Sequence, residues 1–337
     1  MKRKIIFRAD ASKSTGYGHF IRSLALAEYL RDDFDCHFFS YNQNEQKEGT
    51  NDNGGITDYQ LNEILKRKIT PGTIQAGSVD EFNKKFLEQL TTDDIVVLDN
   101  YYYSTEYQQA VKNRAYRLVC IDDVHNRHMV CDLLMTSCPL TREDFSTESY
   151  TRFVGGIEWA FLRSPFLMPV KERLNRKEIH RIIIAMGGAD AFNLTDKMIG
   201  IVSKVFSEAV IDVICGETVI IRDYDRRNVN IHRMISAQEI ANLMDNADIG
   251  IFPASTIVIE ALSRELPPIT GYYVDNQTEL YNFGVANGYF TGIGNLLDDA
   301  GKIEGRLRGI PADFPTETRK VDFASQKGKI IELFKAL

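Results

Sequence analysis

The sequence has no excess of basic residues and no long apolar run, and each absence argues against a class of protein. Its 40 Lys and Arg stand against 47 Asp and Glu, giving a net charge of −7. A nucleic-acid-binding protein needs a broad basic surface, which this balance does not favour. No apolar stretch approaches the roughly 18 residues that cross a bilayer. We therefore expect neither a nucleic-acid partner nor stable insertion into a membrane, and the oligomeric state stays open.

The N-terminus and the cysteines indicate a cytoplasmic protein. The basic residues 1–4 are followed by the short apolar stretch 5–7, whereas a secretory signal needs an apolar core of at least about seven residues. The five cysteines are odd in number and lack the regular spacing of a disulfide framework. They are predicted to be reduced thiols.

Strand-like apolar segments alternate with helix-like segments, and this pattern starts twice along the 337 residues. It breaks at the charged, proline-containing segment 163–180 and begins again at residue 181. Such alternation predicts parallel sheets covered by helices. The predicted fold is α/β, with two tandem Rossmann-like domains, residues 1–165 and 166–319, that face each other across a cleft. Residues 320–337 are predicted to form a C-terminal helix that can pack back on the first domain.

The first candidate segment follows strand 4–8, at a position where folds of this type bind ligands. It matches neither the dinucleotide-binding glycine motif nor the NTPase phosphate loop. An imidazole such as His19 suits acid–base chemistry near neutral pH, and Asp10 could orient it. Alternatively, the glycines only shape a turn, His19 caps the helix and Arg22 is a solvated charge. The candidate residues of this segment are Asp10, Gly16, Gly18, His19 and Arg22.

The second candidate segment follows strand 181–186 and begins with Gly187, Gly188 and Ala189. Two glycines between a buried strand and a helix suit the binding of a phosphate group, because the helix start offers unpaired amides. Alternatively, Asn193 or the nearby Asp190 caps this helix.

The third candidate segment follows strand 249–252. Ser255 and Thr256 stand at a predicted helix start, where hydroxyls and amides can bind phosphate. Glu260, further along the same helix, could accept both hydrogens of a ribose diol. Alternatively, Ser255 is only an N-cap and Glu260 a surface charge. Asn276 and Gln277 open another helix at the cleft, where amides can bind sugar hydroxyls.

Two possible metal sites are weak by comparison. His125, His128, Cys131 and Cys138 are all legitimate zinc ligands, but their last spacing is unusual. The acidic pair in segment 223–225 lies in an arginine-rich turn without relation to the cleft. No metal and no cofactor are therefore predicted.

Three tyrosines at positions 101–103 follow a buried strand. One of them is expected to contact the substrate.

Taken together, the motifs resemble the UDP-2,4-diacetamido-2,4,6-trideoxy-β-L-altropyranose hydrolase family of pseudaminic acid biosynthesis, in the glycosyltransferase-B-like superfamily. The resemblance covers residue 7 to about residue 294. This chain departs from the family pattern at Asn100 and Tyr102, where the family has His and Gly, and in the polar insertion 41–58. The motifs that carry the resemblance are Phe7–Ser12 with Gly16–His19 and Arg22, Leu98–Tyr101, Ile121–Asp123, Met186–Asp190 with Asn193, Ser255–Thr256 with Glu260, and Asn276–Gln277.

The resemblance implies a role for several residues and a metal-independent reaction. His19 matches the histidine that activates water, and Tyr101 matches an active-site tyrosine. The glycines at 187–188, with Ser255, Thr256 and Glu260, match the UDP-binding side. Asn276 matches a residue near the diphosphate and the sugar.

The function expected from the sequence is hydrolysis of a UDP-linked 2,4-diacetamido-trideoxyhexose to free sugar and UDP, with inversion at the anomeric carbon. It would serve nonulosonic acid or surface polysaccharide biosynthesis. The partner implied is this small-molecule UDP-sugar. The alternative is an inverting glycosyltransferase of the same fold, in which His19 activates a sugar hydroxyl. A nucleotide-sugar sensor without catalysis is the third possibility.

Overall fold

The computed structural model describes residues 2–11, 17–41, 56–170, 178–188, 190, 192–217, 219–222, 228–310 and 319–337. Gly16, Ala189, the segment 223–225 and residues 42–55 of the predicted insertion lie outside the described residues. The chain divides into two compact units. The first comprises Met1–Leu162 together with Ala324–Leu337, and the second comprises Arg163–Phe323.

The first unit is built on a seven-stranded parallel sheet with the order β3-β2-β1-β4-β5-β7-β9, and β6 and β8 form a separate parallel pair. The strands are β1 (Lys4–Ala9), β2 (Asp35–Phe39), β3 (Thr70–Gly72), β4 (Ile95–Asp99), β5 (Arg117–Ile121), β6 (His128–Met129), β7 (Leu133–Thr136), β8 (Ser146–Thr147) and β9 (Arg152–Gly155). The helices that follow strands in this unit are α1 (Gly18–Leu30), α2 (Asp58–Lys66), α3 (Val79–Glu88) and α4 (Thr105–Lys112).

The pairing of β1 with β4 positions the candidate residues of this unit. Both strands are buried and mostly apolar, as is typical of central strands in a sheet covered on both faces. Their parallel register sets Ala9 opposite Asp99, so the two strands end side by side. The strand order reverses between β1 and β4, and open α/β sheets bind ligands at such a switch point.

The second unit is built on a six-stranded parallel sheet with the order β12-β11-β10-β13-β14-β15. This order is the 3-2-1-4-5-6 order of Rossmann folds, with its switch point between β10 and β13. The strands are β10 (Arg181–Ala185), β11 (Val210–Cys215), β12 (Val229–Arg233), β13 (Ile249–Pro253), β14 (Pro268–Tyr272) and β15 (Thr291–Asn295). The helices are α5 (Leu194–Val205), α6 (Ala237–Asn246), α7 (Thr256–Ser263), α8 (Thr278–Ala286) and α9 (Ala300–Arg308).

Local sequence signals explain where several helices begin. In α2, Thr57 accepts from the Gln60 amide and Gln60 reaches back to the Thr57 amide, which is a capping box. Ser236 and Glu239 form the same motif at the start of α6. Apolar positions at helical spacing then bury one face of each helix against a sheet.

The two parallel sheets with their covering helices confirm the predicted α/β class with two Rossmann-like units.

The C-terminal helix α10 (Phe323–Lys335) belongs almost entirely to the first unit. The ammonium of Lys335 lies 3.0 Å from an Asp33 carboxylate oxygen, and the ammonium of Lys327 lies over the Tyr29 ring.

In the described ranges of the chain, no helix has both the length and the apolar character needed to cross a membrane.

Replacing Gly216 with Ala should destabilise the second unit. A Cβ atom at this position would lie 2.0 Å from the Gly188 carbonyl oxygen, so one of the two loops would have to shift. The expected loss is about 1–3 kcal/mol of unfolding free energy, as for other overpacked sites. Gly305→Ala is the matched control, because that glycine lies within α9 with nothing near its Cβ position, and it should stabilise the helix slightly. Urea denaturation of both variants would check this, and equal stability would contradict the packing argument.

Candidate active site

His19 lies at the beginning of α1, directly beyond the carboxyl end of β1, and is only 4% exposed. Its Nδ1 is 2.7 Å from Oδ1 of Asp99, the last residue of β4. The pair therefore links the beginning of α1 to the end of β4, at the switch point of the first sheet. His19 is one of the predicted site residues, whereas no role had been predicted for Asp99.

Asp99 is completely buried and accepts several hydrogen bonds besides that of His19. Arg22 donates to both carboxylate oxygens, from Nε at 2.8 Å and from Nη2 at 2.6 Å, and the Ser23 hydroxyl donates at 2.7 Å. Burial alone would raise the pKa of Asp99, but the charges and hydrogen bonds of Arg22 and His19 outweigh it and hold that pKa well below its usual range. The carboxylate is thus ionised at neutral pH.

An ionised Asp99 fixes the tautomer of a neutral His19. A carboxylate only accepts hydrogen bonds, so Nδ1 of His19 must carry the proton. The lone pair is then on Nε2, which makes this nitrogen the base of the pair. The Tyr101 ring packs edge-on against the imidazole, with ring centroids 4.3 Å apart. His19 and Tyr101, predicted as catalytic residues, are therefore in contact.

The structure corrects the predicted partner of His19. The Asp10 carboxylate accepts hydrogen bonds from Arg8, from the Tyr102 hydroxyl and, at 2.6 Å, from the Tyr41 amide. The carboxylate that is hydrogen-bonded to His19 is that of Asp99. The reason is the two-residue period of a strand, because Arg8 and Asp10 extend to the same side of β1. Arg8 is fully buried and needs the opposite charge beside it.

Arg22, predicted to bind substrate, supports the imidazole pair from the same helix. Its guanidinium donates to Asp99 and, from Nη1, to Asp123, and both carboxylates are buried. Burial alone would lower the pKa of Arg22, but these two carboxylates raise it well above its ordinary value.

Gly18, another predicted site residue, is exposed at the start of α1. No atom lies within 4 Å of the position that a Cβ would occupy there.

The loop after β4 contains the two departures from the resembled family. Asn100 is buried, and its Oδ1 accepts from the Tyr101 amide at 2.8 Å. Its Nδ2 has no hydrogen-bond partner within the described part of the chain. Tyr102 keeps 41% of its surface exposed, although its hydroxyl is bound by Asp10 and receives a hydrogen bond from Arg8. This loop thus contains an amide donor without a partner in the described residues, Nδ2 of Asn100, and an aromatic ring, that of Tyr102, whose hydroxyl is fixed by hydrogen bonds.

In the second unit, the glycine segment after β10 is exposed at Gly187 and Gly188, and Gly187 has a φ of +103°. The amides at the start of α5 are already occupied, since Asp190 accepts from Leu194 at 2.7 Å and from Thr195 at 2.9 Å. Of the predicted alternatives for this helix start, capping by Asp190 is the observed one. A phosphate could still meet the exposed glycine backbone.

Asn193 is the N-cap residue of α5 but makes no side-chain cap bond, and its backbone is left-handed with φ of +52°. Its side chain is exposed. Asn193 therefore retains its amide group for a ligand, as the prediction that it binds substrate requires.

The start of α7, after β13, is more open. Ser255 is its N-cap residue, yet the hydroxyl makes no cap bond to the helix. Both Ser255 and Thr256 are half-buried. The amides of Ser255 and Val258 already donate, to the carbonyls of Pro253 at 2.8 Å and of Ser255 at 3.0 Å. The amides between them, at positions 256 and 257, have no acceptor within the helix, so this start can present them together with two hydroxyl groups.

Glu260 is not the surface charge that one alternative predicted. Its side chain is 3% exposed, and its two oxygens accept from Nε and Nη2 of Arg163, each at 2.7 Å. The carboxylate could bind a ribose diol only by sharing or leaving this bidentate pair.

The predicted residues after β14 differ in exposure. Asn276 is exposed, whereas Gln277 is buried and its Oε1 accepts from the Tyr273 amide at 3.0 Å. Asn276 is thus the more accessible of the two.

Across the described ranges, no three His, Cys, Asp or Glu side chains form a group that could hold a metal ion. Within the segment considered for zinc, Nδ1 of His128 lies 2.8 Å from the Ser146 hydroxyl. The five cysteines are buried free thiols.

Two solved structures share the fold over almost their whole length. An Acinetobacter baumannii MurG structure matches with a TM-score of 0.61 and 14% identity, covering 100% of both chains. The S. aureus MnaA–UDP co-structure matches with a TM-score of 0.61 and 11% identity, covering 100% of this chain and 96% of that one. The fold is of the glycosyltransferase-B type.

Comparison of sequences gives two relatives, while no protein-family model matches the chain. Uncharacterized protein MJ1062 of Methanocaldococcus jannaschii is 25% identical over 83% of this chain, which spans only 57% of that protein. The UDP-2,4-diacetamido-2,4,6-trideoxy-beta-L-altropyranose hydrolase of Campylobacter jejuni is 24% identical over 85% of this chain and 97% of its own length. The chain is therefore similar to this hydrolase along most of both sequences.

Removing the Glu260 carboxylate should destabilise the second unit. In Glu260→Ala the half-buried Arg163 loses the Glu260 carboxylate. Breaking a fully buried pair typically costs about 3–5 kcal/mol of unfolding free energy, and because the Arg163 side chain keeps 16% of its surface exposed, we expect a loss near or below the lower end of that range. Glu304→Ala is the control, since that glutamate forms an exposed pair with Arg308 and its loss should matter little. Urea denaturation gives both values. A Glu260→Ala variant as stable as Glu304→Ala would show that the pair contributes little.

Asp99 should make the stability of the first unit dependent on acidic pH. Its pKa is lowered in the folded state, so its stabilisation is complete above the unfolded value of about 3.9 and is lost as pH falls towards the folded value. Asp99→Asn should be less stable at pH 7 and should lose less on acidification than the parent protein. Urea denaturation at pH 7, 5 and 3 tests this, with the exposed Asp93→Asn as control. Parallel pH curves for parent and Asp99→Asn would refute the assignment.

Proposed function

We propose that the protein is a nucleotide-sugar hydrolase that cleaves the anomeric C–O bond of a UDP-linked 2,4-diacetamido-trideoxyhexose. The observation that carries this proposal is the buried His19–Asp99 pair at the switch point of the first sheet. The similarity to the Campylobacter jejuni hydrolase supports the choice of substrate class. Such a reaction belongs to nonulosonic acid or surface polysaccharide biosynthesis.

His19 acts as the general base in this proposal. Nε2 takes a proton from water while the water oxygen attacks the anomeric carbon on the face opposite the diphosphate. The bond between that carbon and the diphosphate oxygen breaks, and UDP leaves with the electron pair. The products are the free sugar with inverted configuration and UDP. Asp99 stabilises the imidazolium that forms, because its negative charge lies 2.7 Å from Nδ1.

The second unit is assigned to UDP in this proposal. The exposed Gly187 and Gly188 and the open start of α7 with Ser255 and Thr256 supply donors to the diphosphate. One preorganised donor to a developing negative charge is typically worth about 3 kcal/mol in the transition state. Several such donors would allow UDP to leave without a metal ion, and the exposed Asn276 could contact the sugar.

A glycosyltransferase with the same base would differ only in the nucleophile, a sugar hydroxyl instead of water. The two reactions are distinguished by whether UDP is released when no acceptor is present. A sensor would bind the UDP-sugar and release no UDP under either condition.

Turnover should depend on His19 but binding of UDP should not. We expect the parent protein to release UDP from UDP-2,4-diacetamido-2,4,6-trideoxy-β-L-altropyranose without an acceptor and in the presence of a chelator. His19→Ala should reduce this rate at least about 100-fold, because general-base catalysis contributes 10²–10⁴-fold. Calorimetric titration should give similar UDP affinities for both proteins.

The matched control is His37→Ala, which removes a partly exposed histidine of β2 and should retain the parent rate. A collapse of UDP affinity in His19→Ala would contradict the catalytic role of His19. Release of UDP only after an acceptor sugar is added would favour the transferase.

A further inference from the structure

Arg22 has a second carboxylate partner that no proposed step uses. Nη1 of Arg22 donates to Oδ2 of Asp123, which lies just beyond the end of β5 and is buried. The other oxygen of Asp123 accepts from the Thr136 hydroxyl at 2.8 Å, and that hydroxyl in turn accepts from the Cys138 amide at 3.0 Å. Asp123 is thus held in place from the end of β7 while it holds Arg22.

The charges around the imidazole show what Asp123 contributes. Among the described residues, His19 contacts two charged groups and one aromatic ring. They are Asp99 at 2.7 Å, Nη2 of Arg22 at 3.2 Å, and the Tyr101 ring. With Arg22 and Asp99 alone, one positive and one negative charge would cancel. Asp123 adds a second negative charge, so the network as a whole carries a net charge of about −1 beside His19.

A negative net charge favours the imidazolium form over the neutral imidazole. Without Asp123, Asp99 alone would balance the positive charge of Arg22, and Arg22 would compete with His19 for that carboxylate. Burial makes this competition stronger, because charges in the interior are screened less than at the surface.

We propose that Asp123 is a positioning residue for the candidate base, which tethers and neutralises Arg22 so that Asp99 can orient His19 and stabilise its protonated form. This inference rests on the proposed function in one respect, that His19 acts as a base. It assigns to Asp123 no contact with substrate.

Asp123→Asn isolates the charge, since the amide oxygen can still accept from Arg22 and the shape is kept. The imidazole titration of His19 is followed by NMR in the full-length protein without substrate, and the spectrum of His19→Ala identifies its signal. We expect the titration midpoint to move about 0.5–1 pH unit lower in Asp123→Asn, less than the 1–3 units typical of a directly adjacent charge. Asp123→Glu, which retains the charge, should restore most of the parent midpoint.

Asp122→Asn is the matched control in the same loop. The Asp122 side chain accepts from the Val124 and His125 amides, which an asparagine oxygen can also do, so the midpoint should move much less. If Asp123→Asn does not fold, Asp123→Ser provides a second neutral side chain that can accept from Arg22. A midpoint equal to that of the parent in a folded neutral variant would overturn the proposal.

The pH–rate profile of UDP release separates this inference from the proposed function. In Asp123→Asn we expect kcat to fall about 10-fold, part of the 10²–10⁴-fold that a general base contributes, with KM within about two-fold and the acidic limb moved to lower pH. A lower NMR midpoint with no UDP release by the parent protein would support the charge network and contradict the hydrolase. Turnover by the parent with unchanged kcat and acidic limb in Asp123→Asn would contradict the role of Asp123.

Discussion

The first unit depends on a carboxylate buried without exposed surface, that of Asp99 at the end of β4. An isolated charge in such a place would be strongly unfavourable, so the surrounding chain must supply donors. It does so from one helix face, because His19, Arg22 and Ser23 all lie in the first two turns of α1. The same contacts that make the buried charge tolerable also fix α1 against β4 and set the tautomer of the imidazole.

The second unit distributes its charges in a different way. At the start of α5 the Asp190 carboxylate accepts from the first amides, while at the start of α7 the Ser255 hydroxyl makes no cap bond and only the Ser255 carbonyl accepts, from the Val258 amide at 3.0 Å. Two helix starts at one switch point are therefore unequal as sites for an anion. In the UDP-binding role proposed above, a diphosphate would meet like charge near Asp190 but the hydroxyls of Ser255 and Thr256 at the α7 start, which favours the α7 start as the main anchor.

The sequence was sufficient for the fold and for the positions of the candidate loops, but not for their contacts. Strongly apolar strands such as β10 and the helices after them follow from the sequence pattern, whereas the three-residue β3 and the glycine-containing β15 give too weak a signal. Nearness in sequence predicts Asp10 as the partner of His19. The true partner, Asp99, comes from the register of β1 with β4, which links residues 80 positions apart. Such pairing cannot be read from local spacing.

The base alone does not decide between hydrolysis and transfer, since an imidazole can deprotonate water or a sugar hydroxyl equally well. The neighbouring loop is more informative. Tyr102 is held by Asp10 and Arg8 while much of its ring stays exposed, and it follows Tyr101, which contacts His19. An aromatic ring fixed in this way restricts bulky groups more than small ones. Water needs far less room than an acceptor sugar, so a fixed ring next to Tyr101 is compatible with the hydrolysis proposed above.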